Sequence, residues 1–487
     1  MRSVWRSGVV AAVGALCSGL AAPALADTLA DALNLAYQTN PTLRSERAQL
    51  RSLDESYIQA RAGLRPQVSG SVEFDYTKSP STLQSEDKDA SASLSLAQPI
   101  YTGGSATAQM RAAMDDILSG RQKLRETEAQ VMAQVIQAYV DVRRDQEGVR
   151  IAQDNIDALR RQLDETDARF KVGDLTRTDQ AEAEARMAAG QAQLAIAQGQ
   201  LAVSRSNYVA VVGQSPGDLA PEPALTGLPA TVDEAFTVAD HENGGILAAD
   251  FAERAAAQRV AEAKAANRPN VSVRATYGYT GLVNVQNPYL AELYPQIPGV
   301  YAQNVTASAV FTQPFYTGGM NSSRIREALE DDNVQMIAID TARRSTVQAV
   351  AQAWAQLLAT RAGVIAYQKQ VDADKVAFEG ARLEAQGGLR STIDVLNEEQ
   401  ELHSAEFSLV GAVHDEYVAE ASVLSAMGRL EARNLGVSDT LYDPAKSFKK
   451  VVNGGIGLPW NGVVAAVDAL GAPAAPKAGV AGAQVLP

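Results

Sequence analysis

Thiol and imidazole chemistry are almost absent from this chain. Cys17 is the only cysteine in 487 residues, and His241, His403 and His414 are the only histidines. A disulfide framework is therefore excluded. His403 and His414 stand eleven residues apart on one predicted helix, about three turns, too far to share an ion. No HExxH or GxxxxGK[ST] occurs, so zinc-peptidase and P-loop chemistry have no carrier. Acidic pairs such as Asp115-Asp116 and Glu398-Glu399 read as exposed helix charge. The chain is expected to be no enzyme and to hold no cofactor or metal. Basic charge is also short: Lys+Arg 43 against Asp+Glu 57 gives 43 − 57 = −14, which argues against nucleic acid as a partner.

Long apolar runs are missing too. The one apolar stretch near the start, Val9 to Leu20, follows Arg2 and Arg6 and precedes Ala24-Leu25-Ala26, the pattern of a cleaved export signal over residues 1–26. Cleavage there removes Cys17, and Leu16 before it fits a lipoprotein site poorly, so no lipid anchor is expected. No later run reaches the ~18–20 residues a spanning helix needs. An exported chain without helical spans is either soluble or inserted as strands.

What the chain does have is duplication. "QPIYTGGSATAQMRAA" at 98–113 returns as "QPFYTGGMNSSRIREA" at 313–328, an offset of 313 − 98 = 215. Asp31-Ala32, Ala36, Asn40 and Arg65-Pro66 return as Glu234-Ala235, Ala239, Asn243 and Arg268-Pro269, at 234 − 31 = 203. The second copy therefore gained 215 − 203 = 12 residues, which must involve the proline-marked "LVNVQNPYLAELYPQIPG" at 282–299.

After each Gly-Gly the apolar period is seven. Val135, Val142, Val149, Ile156, Leu163 and Phe170 form one row, and Val350, Leu357, Val364, Val371 and Phe378 its counterpart. A second row, Val131, Ala138, Ala152 and Leu159, is interrupted by Asp145, and a return row in the second copy by Glu416. Such seams keep a long helix against a neighbour. About 68 residues of unbroken helix would span roughly 100 Å.

Before each Gly-Gly the period is two. Val68, Val72, Phe74 and Tyr76 oppose Ser69, Ser71, Glu73 and Asp75, and Leu94 and Leu96 oppose Ser93 and Ser95. Val271, Val273 and Tyr277 oppose Ser272, Arg274 and Thr276, and Val305 and Phe311 oppose Thr306 and Thr312. One apolar and one hydroxyl-rich face suit a membrane barrel. Four strands cannot close one, and an open edge is not tolerated in lipid, so the barrel must be shared between chains. The glycine corners, Gly103-Gly104 and Gly318-Gly319, are where a strand leaves the membrane and becomes a helix.

The expected fold is mostly α with a membrane β-barrel. A first repeat covers 27–213, with strands about 66–79 and 88–101, a long helix 104–171 and a return helix 175–213. A Pro-rich connector, 214–230, leads to a second repeat over 231–428, with strands about 269–281 and 303–316, a long helix 319–386 and a return helix 390–428. The Ala-, Gly- and Pro-rich tail, 429–487, is expected to be partly disordered or to wrap the outside of the helices.

The two copies, the paired corners, the returns "FKVGDLTRTDQAEAEARMAAGQAQLAIAQGQL" and "EAQGGLRSTIDVLNEEQELHSAEFSL", and Leu-Tyr-Asp-Pro at 441–444 resemble the TolC-like outer-membrane efflux proteins. The resemblance covers nearly the whole chain after residue 26. It implies a Gram-negative outer-membrane homotrimer with a twelve-stranded barrel in lipid and a twelve-helix periplasmic tunnel. It also implies a periplasmic adaptor and an inner-membrane ABC or proton-driven transporter as partners. Type I protein secretion is the favoured role, and multidrug efflux the alternative. A non-channel coiled-coil spacer of the envelope is the reading from another class.

By the same resemblance the tunnel closes at the periplasmic tip. Arg390 corresponds to a latch cation with Asp179 as its partner, Asp394 to a carboxylate ring in the lumen, and Thr178 and Asn397 lie beside them. Relatives often carry Asp where this chain has Asn397 and Tyr where it has Ala385, which implies a thinner latch and one acidic ring instead of two.

Overall fold

The structure, a computed structural model, describes residues 28–79, 85–173, 175–285, 301–387, 389–437, 441–453 and 459–474. The expected export signal at 1–26, most of the proline-marked insert and the end of the tail lie outside the described residues.

Each copy starts with two short helices: α1 (Leu29–Thr39) and α2 (Pro41–Ala62), then α5 (Val232–Glu242) and α6 (Gly244–Ala265). The hinge within each pair is one asparagine used twice over. Asn40 Oδ1 accepts from Thr42 N at 2.9 Å and caps α2, while its Nδ2 donates to Val211 O at 3.0 Å. Asn243 caps α6 through Gly245 N at 2.9 Å and donates to Ala426 O at 3.0 Å. Each asparagine thus ties the hinge to the end of its own copy's return helix.

The strands β1 (Gln67–Ser79), β2 (Ser85–Tyr101), β3 (Asn270–Val285) and β4 (Tyr301–Thr312) form one antiparallel sheet in the order β1-β2-β3-β4. Ser69 faces Ser95 and Ser71 faces Ser93, each pair sharing a 2.9 Å hydrogen bond between hydroxyls. On the opposite face Val68, Val72 and Phe74 stand exposed, Phe74 by 78%. β1 and β4 are the two edges.

The sheet continues into the helices. β2 turns into α3 (Ser105–Lys171) and β4 into α7 (Met320–Gln386), each a 67-residue helix of about 100 Å. At both turns the glycine pair lies at positive φ: 70° and 86° for Gly103 and Gly104, 65° and 86° for Gly318 and Gly319. Residues with a Cβ adopt this backbone only at a cost. The returns are α4 (Arg177–Val212) and α8 (Thr392–Ala426). α2, α3, α6 and α7 pack side by side below the sheet, in the order of the strands above them.

The heptad rows are the packing seams. Val135, Val142 and Ile156 are buried, as are Val350, Leu357 and Val371. Asp145, which interrupts its row, is buried too and takes a 2.9 Å hydrogen bond from Arg144. Glu416 pairs with Arg361 at 3.3 Å across α7 and α8. None of the described helices is long and apolar enough to cross a membrane.

The tail forms two helices that pack against the rest of the chain. α9 (Pro444–Asn453) packs on α2, with the Phe448 ring edge-on to Tyr57 at 5.4 Å. α10 (Asn461–Leu470) packs on β2 and α3, where Val464 is buried with Leu64 and Ala106. Residues 475–487 lie outside the described residues.

Candidate functional site: the helical tip and the two corners

The far end of each copy is a helix-to-helix turn, and both turns close with the same local device. Thr176 caps α4: its backbone N and its hydroxyl each donate to Asp179 Oδ2 at 2.8 Å, and Asp179 N donates back to the hydroxyl at 3.3 Å. Ser391 and Asp394 repeat this on α8, with hydroxyl to Oδ2 at 2.7 Å and Asp394 N to hydroxyl at 3.3 Å. These are reciprocal capping boxes. The hydroxyl donors hold both carboxyls below the usual carboxylate range, so both stay anionic at neutral pH.

The structure separates the expected latch pair. Within one chain Arg390 does not meet Asp179; its guanidinium lies 2.9 Å from Glu384 and 3.5 Å from Glu398, inside its own turn. Glu398, which the sequence presents as exposed helix charge, and Glu384 both lie within eight residues of Arg390. Thr178 is exposed on the first turn of α4 beside Asp179. Asn397 is engaged across copies: Arg186 of α4 donates to its Oδ1 at 2.8 Å. Next to that bond Leu396 packs with Ile156, Leu159 and Met187, so an apolar cluster and a hydrogen bond join the two copies near the tip. Glu399 adjoins this contact, and burial pushes its carboxyl up despite His403, Arg161 and Arg382.

The near end holds a feature that sequence periodicity does not reveal. Asp468 of α10 is fully buried against the first corner. Its Oδ1 accepts from Thr102 N at 2.6 Å, Thr102 Oγ1 at 2.7 Å and Gly104 N at 3.4 Å. Its Oδ2 accepts from Thr107 N at 3.2 Å and Thr107 Oγ1 at 2.7 Å. Burial pushes this carboxyl up, but the donors from Thr102 and Thr107 outweigh burial and hold it below the usual range. The residues following α10 close over the glycines: a Cβ on Gly104 would lie 2.2 Å from Ala472 Cα.

A duplicated chain of one four-stranded sheet and two very long helical hairpins has the geometry of a conduit segment. The family model for "Outer membrane efflux protein" matches residues 32–214 and 238–429. The chain belongs to that family. It is similar to the outer membrane efflux protein BepC of Brucella suis, with 32% identity over 91% of this chain and 94% of the relative. It is similar also to the alkaline protease secretion protein AprF of Pseudomonas aeruginosa, at 24% over 87% of this chain and 89% of the relative. Among solved structures, the Campylobacter jejuni CmeC outer membrane channel superposes with a TM-score of 0.69 at 15% identity, covering 87% of this chain and 89% of that one. This family member is an export channel rather than an enzyme, placed in the outer membrane and extending into the periplasm.

Proposed function

We propose that three copies form a closed duct through which an inner-membrane transporter, joined by a periplasmic adaptor, exports protein cargo by type I secretion. The observation that carries the reading is the sheet with two free edges. β1 and β4 have no partner strand among the described residues, while one sheet face is exposed and apolar. In lipid those edges must pair, and three such sheets supply twelve strands. An exposed apolar seam along α7, with Ile337, Leu358, Ile365 and Val376, offers the matching helical contact to the next copy.

Likeness to a protein named for alkaline protease secretion supports protein as the cargo. So does Leu-Tyr-Asp-Pro, whose Tyr442 N donates to Tyr37 OH at 3.0 Å. The name of BepC, an outer membrane efflux protein, favours efflux as the second reading, with drugs as the cargo. Thr178, Asp179, Arg390, Asp394 and Asn397 form the closing end of the duct in either case.

Mass photometry in mild detergent should find trimers, and planar bilayers should show conductance. A folded, conducting monomer would overturn the assembly. For the cargo, the secretome of a deletion strain is compared with its drug-susceptibility panel. Lost secreted proteins with unchanged susceptibility support secretion, and the reverse supports efflux.

A further inference from the structure

The molecule builds one corner twice and, among the described residues of one copy, fills only the first. At the first, five donors converge on Asp468: the backbone N of Thr102, Gly104 and Thr107 and the two threonine hydroxyls. At the offset of 322 − 107 = 215 the second corner has Thr317, Gly319 and Ser322, so every donor is kept, the last hydroxyl now on serine.

The backbone is kept as well. Ser105 N donates to Thr102 O at 3.2 Å, and Met320 N to Thr317 O at 3.2 Å. Ala108 N donates to Gly104 O at 3.0 Å, and Ser323 N to Gly319 O at 3.0 Å. Gln98 braces the first corner through Leu64 O at 3.1 Å, and Gln313 the second through Asn267 O at 3.1 Å. Yet no acceptor meets the second set of donors among the described residues. A Cβ on Gly319 would find nothing within 4 Å, where one on Gly104 meets Ala472. Within one copy the apolar rim is open too: Tyr316 is exposed, whereas its counterpart Tyr101 is covered at Gly471.

A helix start alone would not make a site. Here the twin corner holds its ligand, a buried carboxylate on an apolar helix, on the same five donors. We propose that the second corner, Thr317 to Ser322, is a docking site for an acidic side chain presented by an apolar helix of another polypeptide. Among the described residues another copy of this chain has no free equivalent to offer, because its α10 is already seated on its own first corner.

The floor of the site adds a specificity rule. Under α10, Val464 is buried against Leu64 and Ala106, with Met110 packed alongside. The counterparts at the second corner are Asn267, Asn321 and Ile325. Asn321 is buried and donates to Asn267 Oδ1 at 2.9 Å. A helix seated there meets amide groups where Val464 meets carbon, so its residue four before the acid is polar.

The inference is independent of which cargo the duct carries. The test titrates purified full-length protein with two fluorescent peptides and reads anisotropy. One peptide has the sequence of residues 459–473; the other carries Val464→Asn in that sequence. The Val464→Asn peptide should bind once per chain and more tightly than the unaltered one. Asp468→Asn in that peptide, or Thr317→Val with Ser322→Ala in the protein, should each weaken binding by roughly tenfold or more, as expected for lost charge-assisted bonds. Ser322→Thr in the protein, which restores the first corner's residue, should retain it. Absence of saturable binding overturns the proposal, and so does binding indifferent to Thr317→Val with Ser322→Ala. Binding lost instead in Thr102→Val with Thr107→Ala would show invasion of the first corner and overturns it as well. Displacement of the peptide by phosphatidylglycerol vesicles that bind in a Ser322-dependent way would assign the corner to lipid and refute the polypeptide partner.

Discussion

Arg186 donates to Asn397 Oδ1 at 2.8 Å, joining the return helices of the two copies at the tip. A neutral acceptor on an exposed cation contributes only about 0.5–1.5 kcal/mol. Arg186→Ser and Asn397→Ala should each raise the resting conductance of single channels, by about tenfold at most. Asn397→Asp turns the contact into an ion pair and should lower it.

Arg390 is held by Glu384 and Glu398, whereas Asp179 is occupied by Thr176. The conductance changes of Arg390→Ser and Asp179→Ala should therefore add without coupling in a double-mutant cycle. A double variant that opens far beyond the sum would show that the two meet across copies.

Asp394 stays charged to lower pH than an ordinary carboxyl, because the Ser391 hydroxyl and N–H donate to it. Gathered about a threefold axis, these carboxylates should draw a trivalent cation entering from the periplasmic side. Block from that side only is expected at neutral pH. It should weaken as pH falls through the carboxylate range and should largely vanish in Asp394→Ala. Equal block in Asp394→Ala and the unaltered protein would place the ring elsewhere.

His414 is buried between α3 and α8, with Nε2 2.8 Å from Asp141 and Nδ1 2.9 Å from Asp415. Both contacts are satisfied only by the doubly protonated ring. Arg144 and Asp145 complete the cluster, Arg144 lying 3.2 Å from Asp141. Burial pushes the ring's pKa down and Arg144 adds to that, but hydrogen bonds to the two carboxylates outweigh both and hold it above the ordinary value of about 6.5. A raised folded value means stabilisation that is complete below about pH 6.5 and lost as pH rises through the folded value. The melting-temperature gap between the unaltered protein and His414→Gln should shrink as pH is raised from 6 to 9. A constant gap would exclude the charged ring.

The twin glycines should respond unequally. Gly319→Ala meets open space and bears only the strain of positive φ, about 1–2 kcal/mol. Gly104→Ala bears the same strain and also collides with Ala472, so α10 must leave its seat. Limited proteolysis should cut the tail of Gly104→Ala first and leave that of Gly319→Ala protected. Equal protection would mean that the tail is not seated on the first corner.

Much of this architecture is written in local pattern. Alternation at Val68 to Tyr76, heptads from Val135 to Phe170, and Gly103-Gly104 each act through neighbours a few residues away, so the residues themselves determine strand, helix and corner. The capping boxes at Thr176–Asp179 and Ser391–Asp394 follow a local S/T-x-x-D pattern as well. What only the tertiary structure decided is partner choice at a distance. Asp468 meets Thr102 across 366 residues, His414 meets Asp141 across 273, and Asn397 meets Arg186 across 211. A heptad states which face of a helix is apolar. The polar flanks of that face meet whichever groups the rotation and stagger of adjacent helices bring within 3 Å, and those are set by packing along the whole length of the bundle.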